Sequence, residues 1–174
     1  TGLELKVRSV KVGLLGTFLS LNDLKVLNPN NFSDKVMADL PQLYVDYSLA
    51  DFFKGKVHLQ DLKINIKELS VIKNDAAQVN VKSLEALVPK GGGKPPEIQI
   101  DTLNLKIGKV IFKDYSFGKV NVREYDVNID ENFKNIKDPK GLVSLILVRA
   151  LSKTNIAGLA GIDLGELKEN VSSA

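Results

Sequence analysis

The sequence predicts an α+β domain. A strongly curved, bulged, mainly antiparallel β-sheet, shaped as a half-barrel or groove, packs on two or three helices. Three observations predict it. A broken apolar alternation recurs in five segments, turn-forming clusters separate them, and a C-terminal apolar run carries helix-start signals.

The alternation reads Φ-x-Φ-x-x-Φ-x-Φ, with Φ apolar. Leu5, Val7, Val10 and Val12 fit it, as do Leu19, Leu21, Leu24 and Val26. Val57, Leu59, Leu62 and Ile64 fit it and extend to Ile66. Ile98, Ile100, Leu103 and Leu105 extend to Ile107, and Val120, Val122, Tyr125 and Val127 extend to Ile129. A regular strand has a period of two, so the flip in phase would split the apolar set between two faces. A β-bulge restores one face by adding a residue, and it bends the strand. In LSLNDLKVL the bulge falls at Asn22-Asp23. Two short strands meeting at a bend would have the same result, a concave apolar face. The segments start at irregular intervals, so this is not a solenoid.

The intervening segments follow in order. Asn28-Pro29-Asn30-Asn31 is turn chemistry. Leu43, Val45, Tyr47 and Leu49 alternate regularly after Pro41, and SLADFFKGK reads as a helical turn closed by Gly55. Ala77, Val81, Leu84 and Val88 are spaced for an amphipathic helix over 75–88, capped by Asn74 or Asp75. Residues 89–97, PKGGGKPPE, have linker composition. Asp138-Pro139 is an N-cap followed by proline at the first helical position. LVSLILVRAL, 142–151, is apolar enough to be buried on most sides, and at roughly 15 Å it is too short to span a bilayer. A C-terminal helical segment covers 138–171, within one domain spanning 1–174.

The 174 residues suffice for a sizeable core. Net charge is +3 without a long basic block, and aromatic residues are 6%, which argues against a nucleic-acid partner. Cysteine is absent, which removes disulfides, thiolate metal sites and a cysteine nucleophile. The chain opens at TGLELKV without an initiator methionine, so a preceding segment is expected.

Catalytic signals are not found. His58 has no second histidine or cysteine to complete a metal set. Alternation puts it on the polar face, where an ordinary surface histidine is expected. GGGKPP lacks the serine or threonine of a phosphate loop, because Pro95 follows Lys94. Asp23, Asp61 and Asp101 recur near phase flips, where a short carboxylate can bond local N–H groups. Asn31-Phe32-Ser33 and Asn170-Val171-Ser172 are glycosylation triplets only in a eukaryotic secretory setting. Phe52 and Phe53 are candidates for membrane contact. Alternatively, at least one of them packs under the sheet edge.

The stretches LKVRSVKVGLLGTFLSLNDLKVLNPNNF and VDYSLADFFKGKVHLQDLKI resemble the AsmA-like family of bacterial envelope proteins. The resemblance is carried by Asn28, Pro29 and Phe32, by Leu49 to Gly55, and by Val57 to Ile66. The tail from DPKGLVSLILVRAL to GIDLGELKENV resembles the close of short members. It implies a non-enzymatic protein on the periplasmic side of the inner membrane, anchored by a helix before residue 1. It also implies kinship with elongated lipid-channelling proteins, with a lipid or membrane surface, or an envelope protein, as partner. Neither a cofactor nor a small-molecule substrate is expected. Tyr47, Leu62, Ile64, Leu103, Leu105 and Val127 are the candidates to line a lipid groove. One module is too short to bridge two membranes, and the C-terminal helix can fill the groove instead. The alternatives are a structural or interaction module and a desiccation-type stress protein with two packed sheets.

Overall fold

A computed structural model describes residues 3–13, 17–87 and 98–172. Among them the chain forms one open, mixed sheet of seven strands, mostly antiparallel, with a few helices. Strands β1 (Leu5–Lys6) and β2 (Ser9–Val12) both pair with β3 (Phe18–Leu27). The sheet continues through β4 (Val36–Tyr47), β5 (Val57–Lys73), β6 (Ile98–Asp114) and β7 (Asn121–Ile136). Each of these pairings is antiparallel except β5 with β6, which is parallel. A parallel pair requires a crossover, and residues 74–97 supply it.

The phase flips arise in several ways. At β1 and β2 the chain forms two short strands that meet between Lys6 and Ser9. In β3 no residue is added at Asn22-Asp23. Asn22 pairs with Gln42 and Leu24 with Leu40, so both strands stay in step. Asp23 instead takes a left-handed conformation at φ 52°, which a short polar side chain tolerates. In β5 the expected bulge is present, since Val45 pairs with Leu62 and Tyr47 with Leu59. β6 copies β5 in constant step, from Val57 opposite Ile98 to Lys73 opposite Asp114. In β7 the flip expected near Val122 does not occur. Val122 and Val120 are exposed, and the extra residue lies opposite Ile107 to Lys109, beside Asn128 at φ 44°.

These irregularities line up across the sheet. The pairing skips Asp23 and Pro41, then Leu40-Pro41 and Ile66-Lys67, then Lys67 and Gly108, and it shifts at Asn128. A second line skips Gln60, Asp101 and Asn135, the last at φ 58°. At Gly108 the crossing is so close that a Cβ would lie 2.9 Å from the Lys67 carbonyl oxygen.

The helices pack on β5, β6 and β7. Helix α2 (Pro139–Ser152) has the expected start. Asp138 Oδ2 accepts from the Gly141 amide at 3.1 Å, and Leu145, Leu147, Val148, Ala150 and Leu151 are buried. α3 (Ile156–Ala160) ends at Gly161 in the left-handed region, and α4 (Leu164–Ser172) completes the layer.

The helix expected over 75–88 is a shorter 3-10 segment, Asn80–Leu87, while Val88 and the 89–97 linker lie outside the described residues. Neither Asn74 nor Asp75 caps it. Asn74 closes a turn by accepting from the Gln78 amide at 2.8 Å, and Ala77 sits at φ 58°. Asn80 then anchors the segment from a fully buried position. Its Oδ1 accepts from Ile72 N, and its Nδ2 donates to Ser70 O and Asn28 Oδ1.

Gly108→Ala is expected to cost about 1–3 kcal/mol, because the clash is with backbone rather than a yielding side chain. Urea unfolding of the variant measures it. An unchanged midpoint would show that the β5–β6 crossing has slack.

Candidate functional site

The sheet's apolar face is not uniformly covered. Leu24, Leu62, Ile64, Ile66, Leu103, Leu105, Ile107 and Val127 are buried in one cluster with Leu145, Leu151 and Ile156. Leu21, Leu43, Val45 and Leu59 are only half-buried. At that end, Leu19, Val45, Tyr47, Phe52, Val57 and Leu59 line an apolar pocket of about 370 Å³. Its volume falls within the range of small-molecule sites.

The wall of the pocket is helix α1 (Leu49–Phe52). Ser48 caps it, its Oγ accepting from the Asp51 amide at 3.3 Å. Gly55, at φ 76°, closes the turn as expected. The turn is too short to bury both faces, and its two aromatics point outward. Phe52 is 63% exposed and Phe53 80% exposed, with ring centroids 6.4 Å apart. Neither is packed away under the sheet edge. Lys54 and Lys56 follow them in sequence, and Lys56 also lines the pocket.

His58 ties this turn to the sheet. Its Nδ1 lies 2.8 Å from Asp51 Oδ2 on α1, and its Nε2 lies 2.8 Å from Asp101 Oδ2 on β6. The ring is about three-quarters buried. The expectation of an ordinary solvated histidine is therefore corrected. The hydrogen bonds its ring donates to Asp51 and then to Asp101 raise its pKa above the usual histidine value. The same contact, helped by Ser48, lowers Asp51 to about 2. Asp101 is lowered by His58 and then by Gln99, whose Nε2 donates to Oδ1 at 2.7 Å. Sequence reasoning missed the set because its members are 7 and 43 residues apart. Only the parallel pairing, with Leu59 opposite Ile100 and Asp61 opposite Thr102, brings Asp101 beside His58. The shared apolar spacing of 57–66 and 98–107 was the signal that could have shown it.

Of the six candidate groove residues, only Tyr47 lines the open pocket. Leu62, Ile64, Leu103, Leu105 and Val127 are corrected to core positions, each under 8% exposed. Asp23 pairs with Arg8 at 3.2 Å and Asp61 with Lys63 at 3.0 Å, both on the polar surface. Among the described residues, no group of three histidine, cysteine or acidic side chains is placed to hold a metal. No helix among them is long and apolar enough to cross a membrane. No family model, curated protein or solved structure matches the chain.

The two classes of apolar residue should separate in stability measurements. Leu103→Ala removes a fully buried side chain and is expected to cost about 2–5 kcal/mol. Phe53→Ser is expected to stay within about 0.5 kcal/mol of the parent, as surface changes do. Thermal and urea unfolding of both variants check this. A large loss for Phe53→Ser would place that ring in the core.

Proposed function

We propose that this chain is a non-enzymatic, membrane-associated envelope protein that binds a lipid acyl chain at the open end of its sheet. The observation that carries the reading is the apolar pocket behind Phe52 and Phe53, with lysines beside them. Two exposed aromatics on one short turn gain free energy by leaving water, and neighbouring lysines favour anionic headgroups. The resemblance to AsmA-like proteins supports the same reading, with a strongly curved sheet as the trough, lipid transport or outer-membrane homeostasis as the role, and a periplasmic location. On this reading the trough is narrower than the whole apolar face. The helices fill its centre, and lipid has access only at the α1 end.

A second reading is an interaction module whose trough is closed by its own C-terminal helix. The burial of five groove candidates favours it, together with the outer edge of β7, where 121–124 are exposed. An unpaired edge can accept a partner strand.

Native mass spectrometry after purification from an envelope extract, with flotation on anionic vesicles, tests the first reading. Bound lipid is expected. The double variant Phe52→Ser/Phe53→Ser should lose at least about tenfold in vesicle binding, since each phenylalanine buried contributes roughly 1.5–3 kcal/mol. Absence of lipid together with absence of flotation would sink it. The second reading expects a photoreactive residue at Val122 to crosslink an envelope protein while no lipid is recovered. A clean result at that position would remove its support.

A further inference from the structure

The pocket's wall is held by an arrangement whose hydrogen bonding depends on one proton. A carboxylate only accepts hydrogen bonds. Both ring nitrogens of His58 face carboxylate oxygens at 2.8 Å, so both must donate, and the ring in this geometry is an imidazolium. A neutral imidazole has one N–H. It can satisfy Asp51 or Asp101, and its bare nitrogen then faces the other carboxylate with lone pair against lone pair. The geometry holds three elements together through this ring: α1 by Asp51, β5 by His58 itself, and β6 by Asp101.

We propose that Asp51, His58 and Asp101 form a protonation-controlled latch that holds α1 against the sheet and so governs uptake and release of the chain in the apolar pocket. This rests on the lipid reading above. The latch sits where it can act, because His58, Leu49 and Phe52 all line the pocket. Ser48 N also donates to His58 O at 2.9 Å, and among the described residues the backbone bonds of residues 52–56 run back within the turn itself.

Among the described residues, charged groups reach the neighbourhood of the ring from several elements. α1 and its turn bring Asp51 and Lys54, with Lys54 3.6 Å from Asp51. The connector brings Lys56, and β6 brings Asp101 beside Gln99. Asp46 and Asp61, paired across β4 and β5, are engaged by Thr17 and Lys63. The sign follows from linkage. The latch is complete below the usual imidazole pKa and is lost as pH rises through the raised value of His58. At the acid end it fails as Asp101 and Asp51 take up protons, both below the usual carboxylate range.

His58 is the only histidine, so its ring nitrogens form a unique NMR reporter. Titration of the whole chain should show both nitrogens protonated at pH 6 and a midpoint above that of an unperturbed histidine side chain. The amides of Leu49–Phe52 should shift with the same midpoint, and their hydrogen exchange should quicken by on the order of three- to tenfold beyond that of the other amides. Asp101→Asn should lower the midpoint. An uncharged naphthylamine probe then reads the pocket. Its release should accelerate by a similar factor, on the order of three- to tenfold, across that midpoint in the parent and stay level in His58→Gln. A midpoint at or below that of an unperturbed histidine side chain, or α1 amides indifferent to it, overturns the latch. Probe release that ignores the midpoint while the amides follow it overturns the regulatory role. Failure of the probe to bind at any pH overturns the lipid reading and the latch's regulatory role with it. The NMR titration separates that result from failure of the latch itself.

Discussion

The parallel pairing of β5 with β6 is the constraint on which the rest of the molecule depends. The two strands run in constant step over their whole length. Their apolar residues coincide pair by pair, Leu62 with Leu103, Ile64 with Leu105, Ile66 with Ile107 and Leu69 with Val110. Any other register would set an apolar residue of one strand beside a polar residue of the other on the same face. The pairing also puts Gly108 under the Lys67 carbonyl, where only glycine fits. It compels a long crossover, and it leaves the end of β5 to be closed by Asn80 and the turn at Asn74.

The aligned interruptions explain how so irregular a pattern makes a continuous core. A lone flip in one strand would turn its apolar residues outward relative to both neighbours. Here neighbouring strands flip at matching positions, so the apolar face passes from strand to strand without a break. The devices differ with the partner. β3 and β4 use a left-handed aspartate opposite a proline, β5 uses an extra residue against β4, and β7 uses one against β6. Asparagine and aspartate recur at these points because their side chains tolerate the left-handed region at low cost.

Much of this was legible in the residues, and the limits have physical causes. α2 was readable to the residue, because Asp138, Pro139 and an unbroken apolar run are local signals. The flips in β3, β5 and β6 were readable as shifts of parity. Whether a flip adds a residue was not, since that depends on the partner strand. β7 misled because Val120 and Val122 imitate the pattern on the exposed side of an edge strand. Spacing suggested a helix from residue 75, but it carries no trace of the Asn74–Gln78 turn or of the buried Asn80, which are set by contacts with Asn28, Ser70 and Ile72. The site was half visible. Phe52, Phe53 and Tyr47 were found from local pattern, whereas Asp51, His58 and Asp101 meet only through tertiary pairing.

The mismatch between sheet and helices explains why a pocket opens at that end. β5 has 17 residues and β6 has 17, so each spans roughly 56 Å. α2 has 14 residues and covers roughly 21 Å. One such helix, followed by two shorter ones, covers the centre of the apolar face and leaves an end half-buried. A chain selected only for stability gains by capping that end with polar residues or by shortening the strands. This one places a short turn there, with two outward phenylalanines, and fastens it with a single histidine between two carboxylates. Exposed aromatics beside an apolar pocket add little to folding and gain free energy only on contact with something apolar. A fastening that rests on one ionisable ring is weaker than packed core. Both features sit together at the end of the sheet that the helices leave uncovered, which is where binding is proposed.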